Sequence, residues 1–236
     1  MVHSFFFGKR SEGRVPGLSI SFDDAYVDEW YATRDLFNRY DARATFFVSN
    51  FDLLTNEQIE KLKILQKNGH EIAFHGLRHL GANKFVAENS LNKYIETEIF
   101  PGIDAMIRFG LQPETFSYPF GMRTPFIDRA LLKHFKYVRG AAFTNGDKRL
   151  IDLNKIYLSR SKGLVFAVGI DNVYKNSLDE IHMALKKAKD ENKILLLYGH
   201  KTTDDYCDYC TPISKIEAVL HVASEAGLKF YRIKDL

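Results

Sequence analysis

Cysteine is nearly absent from this 236-residue chain: Cys207 and Cys210, in "DYCDYC", are the only two. A four-cysteine zinc site within one chain is therefore excluded. The C-x-x-C spacing leaves a loop disulfide, half of a metal site or two free thiols, and it reads as a local structural feature without catalysis. Tryptophan is scarcer still, with Trp30 alone. No apolar stretch approaches the ~18–20 residues of a membrane-spanning helix. The opening "MVHSFFFGKR" has three Phe in a row but no small-residue cleavage site, so it does not read as a complete signal peptide. The net charge of +3 comes without a basic stripe or an Arg-rich run, which argues against nucleic acid as a partner. There is no Pro/Gly/Ser-rich linker, low-complexity tract or internal repeat, and nothing in the chain signals an oligomeric state.

What is present is an alternation. Short apolar runs of β type lie at 17–22, 44–49, 71–74, 115–118, 137–143, 164–169, 194–198 and 229–233, with helical patterns between them. Thr55 and Gln58 form a capping box, and Gly69 closes the helix they open. Ser177 and Glu180 form another, for a helix running to about residue 191. Residues 213–226 are apolar-periodic and stop at Gly227. The stretch 89–109 also reads as helical, with Pro101 expected to kink or break it. Strands alternating with helices imply βα units and a parallel sheet. Seven or eight units in a chain of this length fit one α/β domain, a closed or nearly closed barrel, over an open doubly wound sheet. The first strand is followed by "SFDDAYVDE", which offers carboxylates where a nucleotide site would offer glycine amides.

In βα barrels the working face lies at the C-terminal ends of the strands. Applied here, that rule picks out Asp23-Asp24 after the first strand, His75 after the third with His79 four residues on, "SYPFG" after the fourth, and His200 after "ILLLYGH". An isolated Asp pair is more often a turn or cap, and an isolated H-x-x-x-H is more often two unrelated histidines. Their coincidence at strand ends favours a joint site. At i and i+4, His75 and His79 share one face of a helical turn. A carboxylate from the Asp pair completes a set of two imidazoles and one carboxylate, which leaves coordination positions open as catalytic sites require. One Asp then binds a cation while the other is free to act as a general base, and the cation offsets the cost of two adjacent carboxylates. Such a set suits zinc, taken as the default, and also cobalt, nickel, iron or manganese. His70, before the third strand, lies at the wrong end and reads as structural.

These motifs resemble those of the polysaccharide deacetylase family, the NodB-homology or carbohydrate esterase family 4. "SFDDAY" resembles its T-F-D-D-G, "GHEIAFHGLRH" its G-H-E-I-x-x-H-[ST]-x-x-H, "SYPFG" its R-x-P-Y-G, and "ILLLYGH" its L-x-L-x-H, in the same order over about residues 17–233. The resemblance implies a distorted TIM-like (β/α)7 barrel as a single domain over 1–236. It implies that Asp23 is the general base, that Asp24, His75 and His79 are the metal ligands, and that His200 is the general acid. The backbone N–H of Phe120 would hold the oxyanion. It further implies an acetylated carbohydrate as substrate, N-acetyl before O-acetyl, and, by family habit, a location outside the cytoplasm if a leader has been trimmed.

Several positions depart from the family pattern. Ala25 replaces a Gly, and Gly76 replaces the Ser or Thr that follows the first ligand histidine. Ser117 stands where an Arg normally pairs with the base Asp, and Arg123 is the expected substitute. The family's Asp- and Trp-rich motif is not recognisable. Asp171, in "VGIDNVY", is the expected carboxylate behind His200, with Tyr118, Phe120 or Tyr174 expected to stack on sugar in place of a Trp. The alternatives are a same-fold hydrolase of a small linear amide and a degenerate barrel that binds glycan without turnover, the latter favoured by Ser117.

Overall fold

Seven parallel strands close on themselves: β1 (Gly17–Asp24), β2 (Ala44–Val48), β3 (Glu71–Phe74), β4 (Thr115–Ser117), β5 (Tyr137–Ala142), β6 (Leu164–Gly169) and β7 (Ile194–Gly199), with β7 pairing back onto β1 from Gly17↔Ile194 to Phe22↔Gly199. This computed structural model describes residues 15–144, 149–159 and 163–236. The opening stretch discussed above, with His3, lies outside them. The barrel is uneven. The β3–β4 seam is a single aligned pair, Phe74↔Phe116, and β6–β7 has two, Val168↔Leu197 and Gly169↔Tyr198. The result is the distorted (β/α)7 barrel expected, as one domain.

Strand periodicity sorts side chains into two buried sets. Leu18, Ile20, Phe22, Phe46, Phe74, Phe116 and Leu197 face outward under the helices, in one large core. The alternate residues, among them Phe47, Ala73, Val165, Leu196 and Tyr198, fill the barrel with Tyr231, Ile233 and Leu236 from the C-terminal tail. Both faces of the sheet are therefore buried, which is why the strands read as nearly continuous apolar runs. Ser19, Ser21 and Asp23 alternate with the outward residues of β1, and all three are buried.

The helices Asn56–Lys67, Leu178–Asp190 and Ile213–Glu225 fall where expected, and both capping boxes form. One expectation needs correction. The run at 229–233 contributes only Lys229–Phe230, paired to the start of β1. Of the kink or break expected at Pro101, the break does not occur. The helix runs through Leu91–Tyr94, widens into a π turn at Ile95–Ile99 and continues as Phe100–Arg108. Proline has no N–H to give to the preceding turn, and a local widening accommodates that loss without ending the helix. Short helices at Val27–Ala32, Arg34–Arg39, Ala82–Glu88 and Pro125–Leu131 complete the shell. Among the described residues no helix is long and apolar enough to cross a membrane.

Candidate active site

The strand ends converge on one cavity of about 380 Å³, whose wall includes Asp23, Asp24, His75, His79, Arg139 and His200. β1 delivers both aspartates, but differently. Asp23 lies on the barrel-interior face and is only 4% exposed. Asp24 has φ 85°, a left-handed conformation that is strained for a residue with a Cβ. That twist at the strand end lets two consecutive side chains reach the same cavity, which a regular strand would forbid.

His75 follows β3, and its Nδ1 lies 2.9 Å from the carbonyl oxygen of Ser117. A carbonyl only accepts, so Nδ1 carries the proton and Nε2 keeps its lone pair. His79 Nε2 lies 3.2 Å from that Nε2 and 3.2 Å from Asp24 Oδ1, which is itself 3.6 Å from His75 Nε2. One ligand atom from each of Asp24, His75 and His79 falls within 4.8 Å of the others, and the lone-pair chemistry of this trio fits a cation. Burial opposes ionisation of Asp24, but the hydrogen bond from His79 and the charges of His75, His200 and His79 prevail and bring its carboxyl down to about 2. Burial lowers His75 to about 4 despite Asp23 and Asp24 beside it. The carboxylate and the neutral imidazole are the forms a metal requires. The two histidines do not share a helical turn, however. Residues 75–80 form an irregular loop with Gly76 at φ 89° and His79 at φ 55°.

Asp23 is held by a residue that sequence reading missed. Arg139, on β5, donates from Nη2 to Asp23 Oδ2 and to Ser117 Oγ, and Ser117 Oγ lies 3.3 Å from the same Asp23 oxygen. Its guanidinium is sandwiched between the rings of Tyr198 (4.6 Å) and Phe47 (5.3 Å) inside the barrel. Arg123 is not the substitute: it pairs with Asp128. Ser117 and Arg139 are aligned partners across the β4–β5 seam. The guanidinium has thus moved one strand over, and Ser117 leaves it room. The other oxygen, Asp23 Oδ1, is buried and makes no hydrogen bond among the described residues.

Across the cavity His200 Nδ1 lies 2.6 Å from Asp171 Oδ2, while Asp171 Oδ1 accepts from the His200 amide (3.0 Å) and from the Thr211 hydroxyl. Burial works against a charged His200, but the hydrogen bond and charge of Asp171, with Asp23 and Asp24 farther off, outweigh it and leave the imidazole above its ordinary pKa. Trp30 stacks on Phe46. It is fully buried and donates from Nε1 to the His200 carbonyl (2.8 Å). Of the three stacking candidates, Tyr118 lines the cavity but is only 2% exposed. Phe120 is 62% exposed at the cavity mouth, with its ring edge-on to His79. Tyr174 also lines the cavity and receives a hydrogen bond from Tyr198. Cys207 and Cys210 form a disulfide. The loop it closes sets Tyr209 edge-on to His200, at 5.3 Å, a wall that the C-x-x-C spacing alone did not suggest.

A family model for polysaccharide deacetylases matches residues 10–137. A peptidoglycan-N-acetylglucosamine deacetylase of Bacillus cereus is 32% identical over 121 residues, 50% of this chain and 51% of that protein. The match thus spans about half the length of that relative. Among solved structures, the catalytic domain of a peptidoglycan N-acetylglucosamine deacetylase from Eubacterium rectale superposes with a TM-score of 0.57 at 14% identity, over 95% of this chain and 93% of that one. A CE4 family pseudoenzyme from Bacillus anthracis gives 0.63 at 11% identity, over 95% and 66%. At such identities the structural likeness speaks for the fold alone. The chain belongs to the polysaccharide deacetylase family.

The Arg139–Asp23 contact yields a stability test. Arg139→Met leaves a carboxylate buried without its cation, and breaking a buried pair from one side typically costs ~3–5 kcal/mol. Urea unfolding should register that loss, and adding Asp23→Asn should restore most of it. An equal loss in the presence of Asp23→Asn would mean that Arg139 stabilises the barrel by packing alone.

Proposed function

We propose that the chain is a metal-dependent hydrolase that removes acetyl groups from a carbohydrate polymer, N-acetyl groups before O-acetyl. The observation that carries this reading is the division of labour around one cavity. Asp24 sits with two imidazoles, Asp23 is paired with Arg139 at 3.8 Å from His75 Nε2, and an Asp171-backed His200 lines the same cavity. The N-acetyl preference is supported by the Bacillus cereus relative, a peptidoglycan-N-acetylglucosamine deacetylase. In this reading the residues from about 17 to 233 act as one deacetylase domain.

A divalent cation on Asp24, His75 and His79, zinc by default, would polarise the acetyl carbonyl and lower the pKa of a water molecule beside it. Asp23 takes the proton of the attacking water on Oδ1, since Oδ2 is engaged by Arg139 and Ser117. The amide of Phe120 donates to the acetyl oxygen as negative charge builds on it. The neighbouring amides of Gly121 and Met122 are already given to the carbonyls of Tyr118 and Pro119. With Nδ1 engaged by Asp171, His200 keeps Nε2 for the leaving nitrogen, which it protonates as the C–N bond breaks. Phe120 and Tyr174 border the cavity as sugar-contacting rings. Ser117 no longer favours a binding-only barrel, because Arg139 supplies the missing guanidinium. The Cys207–Cys210 disulfide supports an oxidising, extracytoplasmic setting.

Acetate release from chitooligosaccharides and from acetylated xylan, with and without a chelator, tests the reading. Release from the chitooligosaccharides that a chelator abolishes and added zinc restores is the expected result. Release that persists through chelation would remove the metal, and no release from either polymer would favour a binding barrel.

The His200–Asp171 pair makes a separate prediction. The Asp171 carboxylate raises the pKa of His200, so neutralising it in Asp171→Asn lets that pKa fall. An acid active only when protonated then loses its proton at lower pH. The descending limb of the pH–rate profile should move to lower pH, with kcat reduced and metal content unchanged. An unmoved limb in an active variant would take Asp171 out of the mechanism.

A further inference from the structure

Glu98 is fully buried, lies on the π turn Ile95–Ile99 and has no part in the chemistry described above. Its Oε1 accepts hydrogen bonds from the backbone N–H groups of Arg78 (2.9 Å) and Leu80 (3.3 Å), the two residues flanking His79. From the same turn, the Thr97 carbonyl accepts from Arg78 Nη1 (3.1 Å). One widened helical turn therefore grips the loop on either side of a histidine whose own φ of 55° is unfavourable for a non-glycine residue. Such conformations persist only where the surroundings over-determine them. A carboxylate oxygen that satisfies both flanking amides does so.

Gly76 belongs to the same arrangement. At φ 89°, a Cβ built there would lie 2.7 Å from Glu98 Oε1, so a Ser or Thr after the first ligand histidine would be strained and would displace the Glu98 carboxylate from its two amides. The chain has a carboxylate from another element where the family motif has a local hydroxyl. Glu98 Oε2 is buried and makes no hydrogen bond among the described residues, so the loop contact is the polar role this side chain fills.

We infer that Glu98 is a positioning residue for metal capture: by accepting both amides beside His79 it fixes the loop so that Nε2 of His79 meets Asp24 and His75. The inference rests on the metal reading proposed above, yet the clamp itself is observable without metal. The donors to Glu98 are backbone amides, so an amide side chain, whose oxygen also accepts, should substitute, whereas an apolar one of similar size should not.

The test uses the full chain as wild type, Glu98→Gln and Glu98→Met. In metal-free protein, exchange of the Arg78 and Leu80 amides is followed by NMR. Zinc affinity is measured by competition with a chromophoric chelator, and the urea midpoint is recorded alongside. In the wild type both amides should exchange as slowly as those of the barrel strands. Glu98→Met should accelerate both by at least tenfold and weaken zinc binding by ~10–100-fold, the usual effect of losing a group that orients a ligand. Glu98→Gln should stay near wild type on both readouts. Fast exchange of these amides in the wild type would overturn the inference even if Glu98→Met failed to fold. So would a folded Glu98→Met with unchanged exchange, or with accelerated exchange and undiminished zinc affinity. If the wild type takes up no zinc, the metal reading fails, positioning for capture fails with it, and slow wild-type exchange would still establish the clamp.

Discussion

The architecture of the site depends on the contact between the Asp23 carboxylate and the Arg139 guanidinium inside the barrel. Two consecutive aspartates at the end of a buried strand repel each other and resist desolvation. The fold separates them. Asp23, on the interior face, is neutralised by a guanidinium that is itself buried between two aromatic rings. Asp24, on a strained left-handed residue, turns to two imidazoles.

That separation sets the chemistry of the rest of the rim. Ser117 takes part three times: its hydroxyl contacts Asp23 and Arg139, and its carbonyl fixes the proton of His75 on Nδ1. One short strand thus couples Asp23 to His75. The opposite wall repeats the logic with a buried carboxylate. Asp171 meets the His200 ring and amide together, and Trp30 holds the same residue by its carbonyl. His75 is held neutral while His200 is favoured in its charged form, two imidazoles driven in opposite directions by their neighbours. The aromatic edge at the mouth, Phe120 and Tyr209, is exposed enough to meet a ligand larger than an acetyl group.

Much of this was legible in the sequence because it depends on local order. The two-residue period and the rule that barrel chemistry gathers at strand C-termini point to Asp23, Asp24, His75, His79 and His200, and the resemblance to the family's motifs adds Asp171. What escaped depends on register. Nothing in "YVRGAAF" says that Arg139 lies beside Ser117; only the β4–β5 alignment does, although a lone Arg in an apolar strand was a visible signal. Spacing predicted correctly that His75 and His79 meet, but not how. An i,i+4 pair suggests a helical turn, whereas the backbone here uses two left-handed residues gripped from a neighbouring helix. Glu98 was hidden for a related reason: it sits where a π turn interrupts the 3.6-residue period on which helix reading relies. Motif position placed both Tyr118 and Phe120 at the cavity, while only packing reveals that the first is nearly buried and the second exposed.

The most direct measurement is a crystal structure of the zinc-loaded protein, with anomalous diffraction collected on both sides of the zinc edge. The account predicts a single strong peak bonded to Asp24 and to Nε2 of both His75 and His79, with Asp23 outside bonding distance and still paired with Arg139. A peak bonded to Asp23, or density for zinc elsewhere with the trio vacant, would contradict the assignment of one aspartate to the metal and the other to the proton.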